Sequence, residues 1–320
     1  MQLNREIIDQ LVPTALPPES LIRSPDLAAA VRFESPTLAR SYLWTRAITR
    51  AAFESNLQIP PRFNHFSAGF VPITDEEISL LDLAISSPSA GGLSFGGYIL
   101  TRSTSLERIQ NLSVGDQRFP ITTVSGEIEL HGCPPHPVNG AAACWVKNHG
   151  GVNPWQTGIL SCRHIVAGLP LGTSISLTPS SSHSSPKSAT LVEIDESTID
   201  ASVLEVDQTD WPTGLSSLSV SAPGAPGQII ELDGRFTSKK SGSVLRVYHD
   251  PGYVGNLLGQ RLITDCYGIP GDSGSLLLDG TTKAGMGIYM GTIPDGKGGR
   301  DGIFQDLSQV ASYFGLTLYR

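Results

Sequence analysis

The stretch Asp265-Cys266-Tyr267-Gly268-Ile269-Pro270-Gly271-Asp272-Ser273-Gly274-Ser275-Leu276-Leu277-Leu278 constrains this chain more than any other. It sets one serine in a glycine-flanked turn directly before an apolar strand. Glycines at 271 and 274 admit backbone torsions and close approaches that a Cβ would block, so the Ser273 hydroxyl can be presented beside unencumbered amide N–H groups. A serine hydroxyl is a weak nucleophile at neutral pH. A nucleophilic Ser273 therefore requires a general base within hydrogen-bond reach and a third group to orient that base. Two upstream segments offer them. His164 follows the apolar run Gly158-Ile159-Leu160-Ser161-Cys162-Arg163, and Asp200 heads Asp200-Ala201-Ser202-Val203-Leu204-Glu205-Val206. Asp195 and Asp207 lie nearby, but Asp200 is the one from which Val203 and Leu204 continue as a strand.

Gly271-Asp272-Ser273-Gly274-Ser275 resembles the GDSGG nucleophile motif of the trypsin-like (chymotrypsin-fold) serine peptidases, with serine in place of the last glycine. Leu160-Ser161-Cys162-Arg163-His164 resembles that family's TAAH strand, and Asp200 to Leu204 its DIALL strand. The chain order His, Asp, Ser is also the chymotrypsin order, and the α/β-hydrolase pattern Gly-x-Ser-x-Gly fails at Ser275. The resemblance covers about residues 120 to 320.

What the resemblance implies is a mainly β fold of two six-stranded antiparallel β-barrels. The first would span about 120–210 and the second about 228–305, with a C-terminal helix at about 306–315. It implies a serine endopeptidase that hydrolyses peptide bonds through a Ser273-His164-Asp200 triad and an acyl-enzyme, acting on a protein or peptide substrate with neither cofactor nor metal. The N–H groups of Gly271 and Ser273 would form the oxyanion hole; Tyr267, Tyr289, Met290 and Gly291 would line the substrate pocket. Tyr267 stands where trypsins carry an aspartate, so tryptic specificity is not implied. Asp272 matches the aspartate that pairs with a new amino terminus in activated relatives, but Arg118-Phe119-Pro120-Ile121-Thr122 lacks the glycines of such a terminus. The expectation is a chain that needs no cut near Arg118; an active form beginning near Ile121 would refute it.

Apolar residues make up 39% of the 320 and charged residues 16%, with 34 Gly and 23 Pro, which suits short strands and turns better than a helical bundle. A formal net charge of −8 argues against nucleic acid or an anionic membrane as partner. Met1 to Asp9 carries charges where a secretory signal needs an apolar core, and no run approaches membrane-spanning length, so the expected location is cytoplasmic or otherwise intracellular. The four cysteines, Cys133, Cys144, Cys162 and Cys266, are then expected as thiols, although a Cys144–Cys162 bridge is conceivable. His131, Cys133 and His136, with Cys144 or His149 nearby, fit no known zinc spacing.

Short apolar runs place strands at 128–130, 142–146, 158–161, 174–177, 191–194 and 202–206 for the first barrel. Those at 228–232, 243–248, 260–265, 275–278, 284–289 and 302–305 serve the second. Residues 118–320 form the expected peptidase domain, and residues 1–117 a partly helical N-terminal region of unknown role, a candidate site for a regulatory partner. There Ser35-Pro36 starts a helix through Glu54, with Leu38, Tyr42, Leu43, Ala47, Ile48 and Ala51 on one apolar face. Thr74 and Glu77 form a capping box ahead of a second helix over 78–85. Two other readings stay open beside the endopeptidase. One is a catalytically inactive fold serving as a binding or scaffold module; the other is a triad used on an ester, or once on the chain itself.

Overall fold

The computed structural model describes residues 3–54, 65–74, 77, 92–102, 109–131, 140–149, 155–177, 188–194, 199–221, 224–248 and 260–320. The helix expected over 78–85, the polar loop 180–186, Cys133 and His136 lie outside them. The described Thr74 and Glu77 do form their reciprocal cap: the Thr74 amide donates to Glu77 at 2.8 Å and the Glu77 amide to the Thr74 hydroxyl at 3.2 Å. No described helix is long and apolar enough to cross a membrane.

The chain is mainly β. The first strands are β1 (His65–Pro72), β2 (Leu93–Thr101), β3 (Ile109–Val114), β4 (Gln117–Ser125) and the two-residue β5 (Glu129–Leu130). There follow β6 (Cys144–Asn148), β7 (Thr157–Ser161), β8 (Ser174–Ser176), β9 (Ser188–Ile194) and β10 (Ser202–Glu205). The last are β11 (Ile229–Gly234), β12 (Ser238–Tyr248), β13 (Arg261–Thr264), β14 (Leu276–Asp279), β15 (Gly285–Pro294), β16 (Arg300–Asp306) and β17 (Leu316–Tyr319).

All six strands expected for the second barrel form, and they close into a ring, β11-β14-β15-β16-β13-β12, completed by β12 pairing back to β11. Its interior is filled by Ile230, Leu232, Val244, Leu262, Leu277, Met286 and Phe304. The other antiparallel sheet runs β17-β6-β7-β10-β9-β8. Here the structure corrects one expected strand. Residues 129–130 pair with β15 of the barrel instead, and the sheet takes its end strand from β17, which lies against β6 with Leu318 opposite Val146. The reversal that brings β17 there occurs at Gly315, at φ 63°, a left-handed position at a helix C-terminus where glycine has no Cβ penalty.

The N-terminal strands extend the barrel sheet. β1 pairs with β12 in the register Ser67–Tyr248, Ala68–Val247 and Gly69–Arg246, and the order continues β12-β1-β2-β4-β3. The sheet therefore runs unbroken past residue 117. The approach is close enough that a Cβ on Gly69, at φ 143°, would stand 2.3 Å from the Leu245 carbonyl oxygen. Of the helices α1 (Arg5–Leu11), α2 (Ser24–Ala30), α3 (Pro36–Glu54) and α4 (Leu307–Phe314), α3 begins where Ser35-Pro36 signals it. It buries Trp44, Ala47, Ile48, Ala51 and Ala52 against Phe66, Phe70, Phe95 and Phe119 of this added sheet. Its Ser41 hydroxyl donates to the Pro226 carbonyl, 2.8 Å away, at the mouth of the barrel chain.

α4 starts on Asp306, whose carboxylate accepts from the amides of Ser308 at 2.8 Å and Gln309 at 3.2 Å. Burial raises the Asp306 carboxyl from its ordinary 3.8 to about 6, against the lowering effect of those bonds. Between about pH 4 and 6 the native state holds a proton that the unfolded state has released, so stability falls as pH rises through that window and levels off above it. Asp306→Asn keeps the accepting oxygen and removes the titration. Its denaturant midpoint, relative to wild type, is expected to be higher at pH 7.5 than at pH 4.5, by ~2 kcal/mol of stability. A pH-independent difference would show that Asp306 does not titrate in this range.

Candidate active site

The structure brings His164, Asp200 and Ser273 together from opposite sides of the seam between the two sheets. β7 ends in the 3₁₀ turn Arg163–Ile165 that carries His164, and Asp200 stands just before β10, which pairs with β7. Ser273 lies in the turn before β14 of the barrel. A shared core joins the halves, in which Leu160, Cys162 and Val203 pack with Leu276, Ile288, Met290 and Leu307.

Asp200 is 6% exposed and is held twice by one residue: its carboxylate accepts the His164 backbone amide at 2.9 Å and lies 2.6 Å from His164 Nδ1. Burial by itself would raise the Asp200 carboxyl; the His164 hydrogen bonds and charge, with Arg261 beyond, outweigh it and leave the group below its ordinary value. An ionised carboxylate can only accept, so Nδ1 carries the hydrogen and Nε2 is left as the acceptor. Ser273, fully buried, places Oγ 2.9 Å from His164 Nε2 and 2.9 Å from the Met290 carbonyl oxygen. The imidazole, the carboxylate and the hydroxyl are thus in one line of hydrogen bonds. The Asp200 amide is fixed in turn by the Gln305 side chain at 3.3 Å.

The turn that presents Ser273 depends on its glycines. Gly271 and Gly274 take φ of 99° and 93°, and a Cβ at Gly274 would stand 1.9 Å from the Ala141 carbonyl oxygen. Ala141 also returns a hydrogen bond from its amide to the Ser273 carbonyl at 2.6 Å. The Asp272 carboxylate accepts the amides of Phe236 at 2.6 Å and Ile269 at 3.0 Å. Ile121, the nearest counterpart of an activation terminus, is buried in β4 between β2 and β3.

The two expected oxyanion donors differ in what they meet. The Gly271 amide donates to the His131 carbonyl at 2.9 Å. The Ser273 amide has no acceptor among the described residues. Of the expected pocket residues, Tyr289, Met290 and Gly291 lie along β15 beside Ser273. Tyr267 is 37% exposed, with Lys240 Nζ 4.8 Å from its ring centroid. His131, weighed in the sequence only as a metal ligand, is 8% exposed and lies against this pocket. Its Nδ1 is 2.8 Å from the Tyr289 hydroxyl and its Nε2 3.4 Å from the Thr292 hydroxyl. Burial, with Arg300 assisting, lowers the imidazole below its ordinary value despite Glu129.

Cys144, Cys162 and Cys266 are free and buried. Burial pushes the Cys144 and Cys266 thiols up to about 12 and raises Cys162 well above its ordinary value. The ligand atoms of Cys162, His164 and Asp200 come within 4.8 Å of one another, but the Cys162 thiol donates to the Tyr289 carbonyl at 3.1 Å and His164 is engaged at both nitrogens.

No protein-family profile and no curated protein matches the chain. Among solved structures it is similar to the Nocardiopsis protease NAPase at 18% identity, covering 55% of this chain and 90% of that one with a TM-score of 0.40. Thermobifida fusca protease A gives 23% identity, 56% and 90% coverage and the same 0.40. Cellulomonas bogoriensis chymotrypsin gives 16% identity, 50% and 85% coverage and 0.36. Overlap that low adds nothing to the geometry.

Gly274→Ala is expected to lower stability by several kcal/mol, since the new methyl meets backbone and φ is left-handed. Chemical denaturation would read this, and an unchanged midpoint would show that the turn relaxes freely.

Proposed function

We propose that this chain is a serine endopeptidase with Ser273 as nucleophile, His164 as general base and acid, and Asp200 as the group that orients and stabilises the imidazolium. The observation that carries the reading is the continuous run Asp200 Oδ2–His164 Nδ1 at 2.6 Å and His164 Nε2–Ser273 Oγ at 2.9 Å, built from residues 109 and 36 positions apart. A hydroxyl in that position can transfer its proton to Nε2 as Oγ attacks a carbonyl, and the imidazolium can then protonate the leaving amine. The negative charge that develops on the carbonyl oxygen would be met by the amides of Gly271 and Ser273; losing one such donor costs on the order of a hundredfold or more in rate. Peptides suit the site because β14 covers β15 only as far as Ile288, and beyond it the backbone of Met290 to Thr292 already receives an extended segment, residues 129–131.

The test is covalent labelling with a fluorophosphonate, with the modified residue located by mass spectrometry. Because His131 fills the cleft, His131→Pro is used, which removes both the imidazole and the amide that holds the segment. Labelling at Ser273 that disappears on adding His164→Ala is the expected result. A folded, unlabelled protein would overturn the reading and leave a binding module.

A further inference from the structure

Residues 129–131 lie along β15 beside the nucleophile, and their contacts show what that cleft accepts. Glu129 and Leu130 pair antiparallel with Thr292 and Gly291. His131 then donates its amide to the Met290 carbonyl at 3.0 Å, the oxygen that Ser273 Oγ also reaches at 2.9 Å. The His131 carbonyl accepts the Gly271 amide at 2.9 Å, so it already meets one of the two proposed oxyanion donors. A Cβ at Gly291 would stand 2.0 Å from the Glu129 carbonyl oxygen; β15 takes an extended segment this closely only because 291 is bare.

The imidazole of His131 is met at both ring nitrogens. Nδ1 lies 2.8 Å from the Tyr289 hydroxyl, which is itself 3.1 Å from the Gly268 carbonyl oxygen. With its hydrogen on that carbonyl, which can only accept, the Tyr289 oxygen accepts from Nδ1–H. Nε2 lies 3.4 Å from the Thr292 hydroxyl, whose oxygen accepts Arg300 Nε–H at 2.5 Å and whose hydrogen is left for Nε2. Of the two neutral tautomers, only the one protonated at Nδ1 uses all four contacts. A cationic ring would set its charge in a buried pocket beside Arg300, and burial holds the group below its ordinary value. A benzyl group there would strand the Thr292 hydrogen, an ammonium would face Arg300, and a carboxylate would offer the Tyr289 oxygen no donor.

Resting on the reading of Ser273 as an activated nucleophile, we infer that the pocket of Tyr289 and Thr292 selects histidine, that the enzyme cleaves extended peptides after that residue, and that residues 129–131 occupy the cleft as a tethered mimic of such a substrate. The acyl group ending in the substrate histidine passes to Ser273 Oγ as the peptide C–N bond breaks and His164 protonates the leaving amine. Water, giving a proton to the same imidazole, then releases the acyl group as a free carboxyl end and regenerates Ser273. Tyr289 and Thr292 are the specificity-determining side chains. Glu129, two places before His131, is ion-paired to Arg300 at 3.1 Å, but both side chains reach solvent, so a glutamate at that place adds only about a few-fold.

The test empties the pocket and measures what it prefers. Full-length His131→Pro and His131→Gly are each given acetyl-Glu-Leu-Xaa peptides with an aminocoumarin leaving group, Xaa being histidine, phenylalanine, glutamine, glutamate or lysine. Hydrolysis after histidine is expected to exceed that after phenylalanine by roughly a hundredfold or more in kcat/KM, because the latter leaves buried polar groups unmatched, and to vanish when Ser273→Ala is added. Adding Tyr289→Phe should collapse that ratio; both peptides falling together would overturn its role in specificity. In the wild-type chain, nitrogen-15 shifts of the His131 ring should show hydrogen on Nδ1 alone at neutral pH. Hydrogen on Nε2, or on both nitrogens, would overturn the match even where neither variant folds. A variant labelled at Ser273 by the fluorophosphonate that cleaves as well after another residue, or after none, would overturn the histidine preference and leave the peptidase reading standing. A folded variant that neither takes the label nor cleaves would remove both.

Discussion

A carboxylate enclosed between two sheets is the constraint around which the rest is arranged. Removing Asp200 from water is costly, and the offset comes from one neighbour that meets it with both a backbone amide and a ring nitrogen. That double grip fixes the end of β7 relative to the head of β10 and gives the imidazole one orientation. The side chain of Gln305, from the far barrel, then ties this pair across the seam. The geometry at Ser273 is thus a consequence of how a buried charge is satisfied, as much as of the turn that bears the hydroxyl.

A second buried charge performs the analogous task where the N-terminal strands join the barrel. Arg246 is enclosed on β12, its guanidinium paired to Asp301 of β16 at 2.5 Å, donating to the Phe70 carbonyl of β1 at 3.2 Å and lying 4.2 Å from the Tyr98 ring centroid of β2. One side chain thus touches both the barrel and the added sheet. Breaking such a pair by removing one partner costs about 3–5 kcal/mol, because the other charge is left stranded. The first hundred residues are accordingly built into the barrel sheet, with α3 as their outer cover.

The sequence made the local features legible and left the long-range ones hidden. Gly271 and Gly274 announced their positive torsions, Ser35-Pro36 the start of α3, and six apolar runs the strands of the closed ring. β17 escaped because Leu316 to Tyr319 is a four-residue run close behind a helix, with only Gly315 as a signal. The docking of β1 on β12 spans about 180 residues, and the β2–β4 pairing is parallel; neither leaves a periodicity in either strand alone. His131 was the costliest omission. A two-residue strand has no pattern, and the signal that belonged to it, a bare glycine at 291 on a cleft edge, lies 160 positions away.

The placement of β17 has a consequence for how the chain is made. Synthesis proceeds from the N-terminus, so the half bearing His164 and Asp200 emerges well before the barrel, yet its sheet lacks an end strand until residues 316–319 appear, whereas the barrel ring is complete at residue 306. The earlier half is therefore the later to be finished. Along the chain, the ring that carries Ser273 can close before the sheet that carries His164 and Asp200 has its end strand.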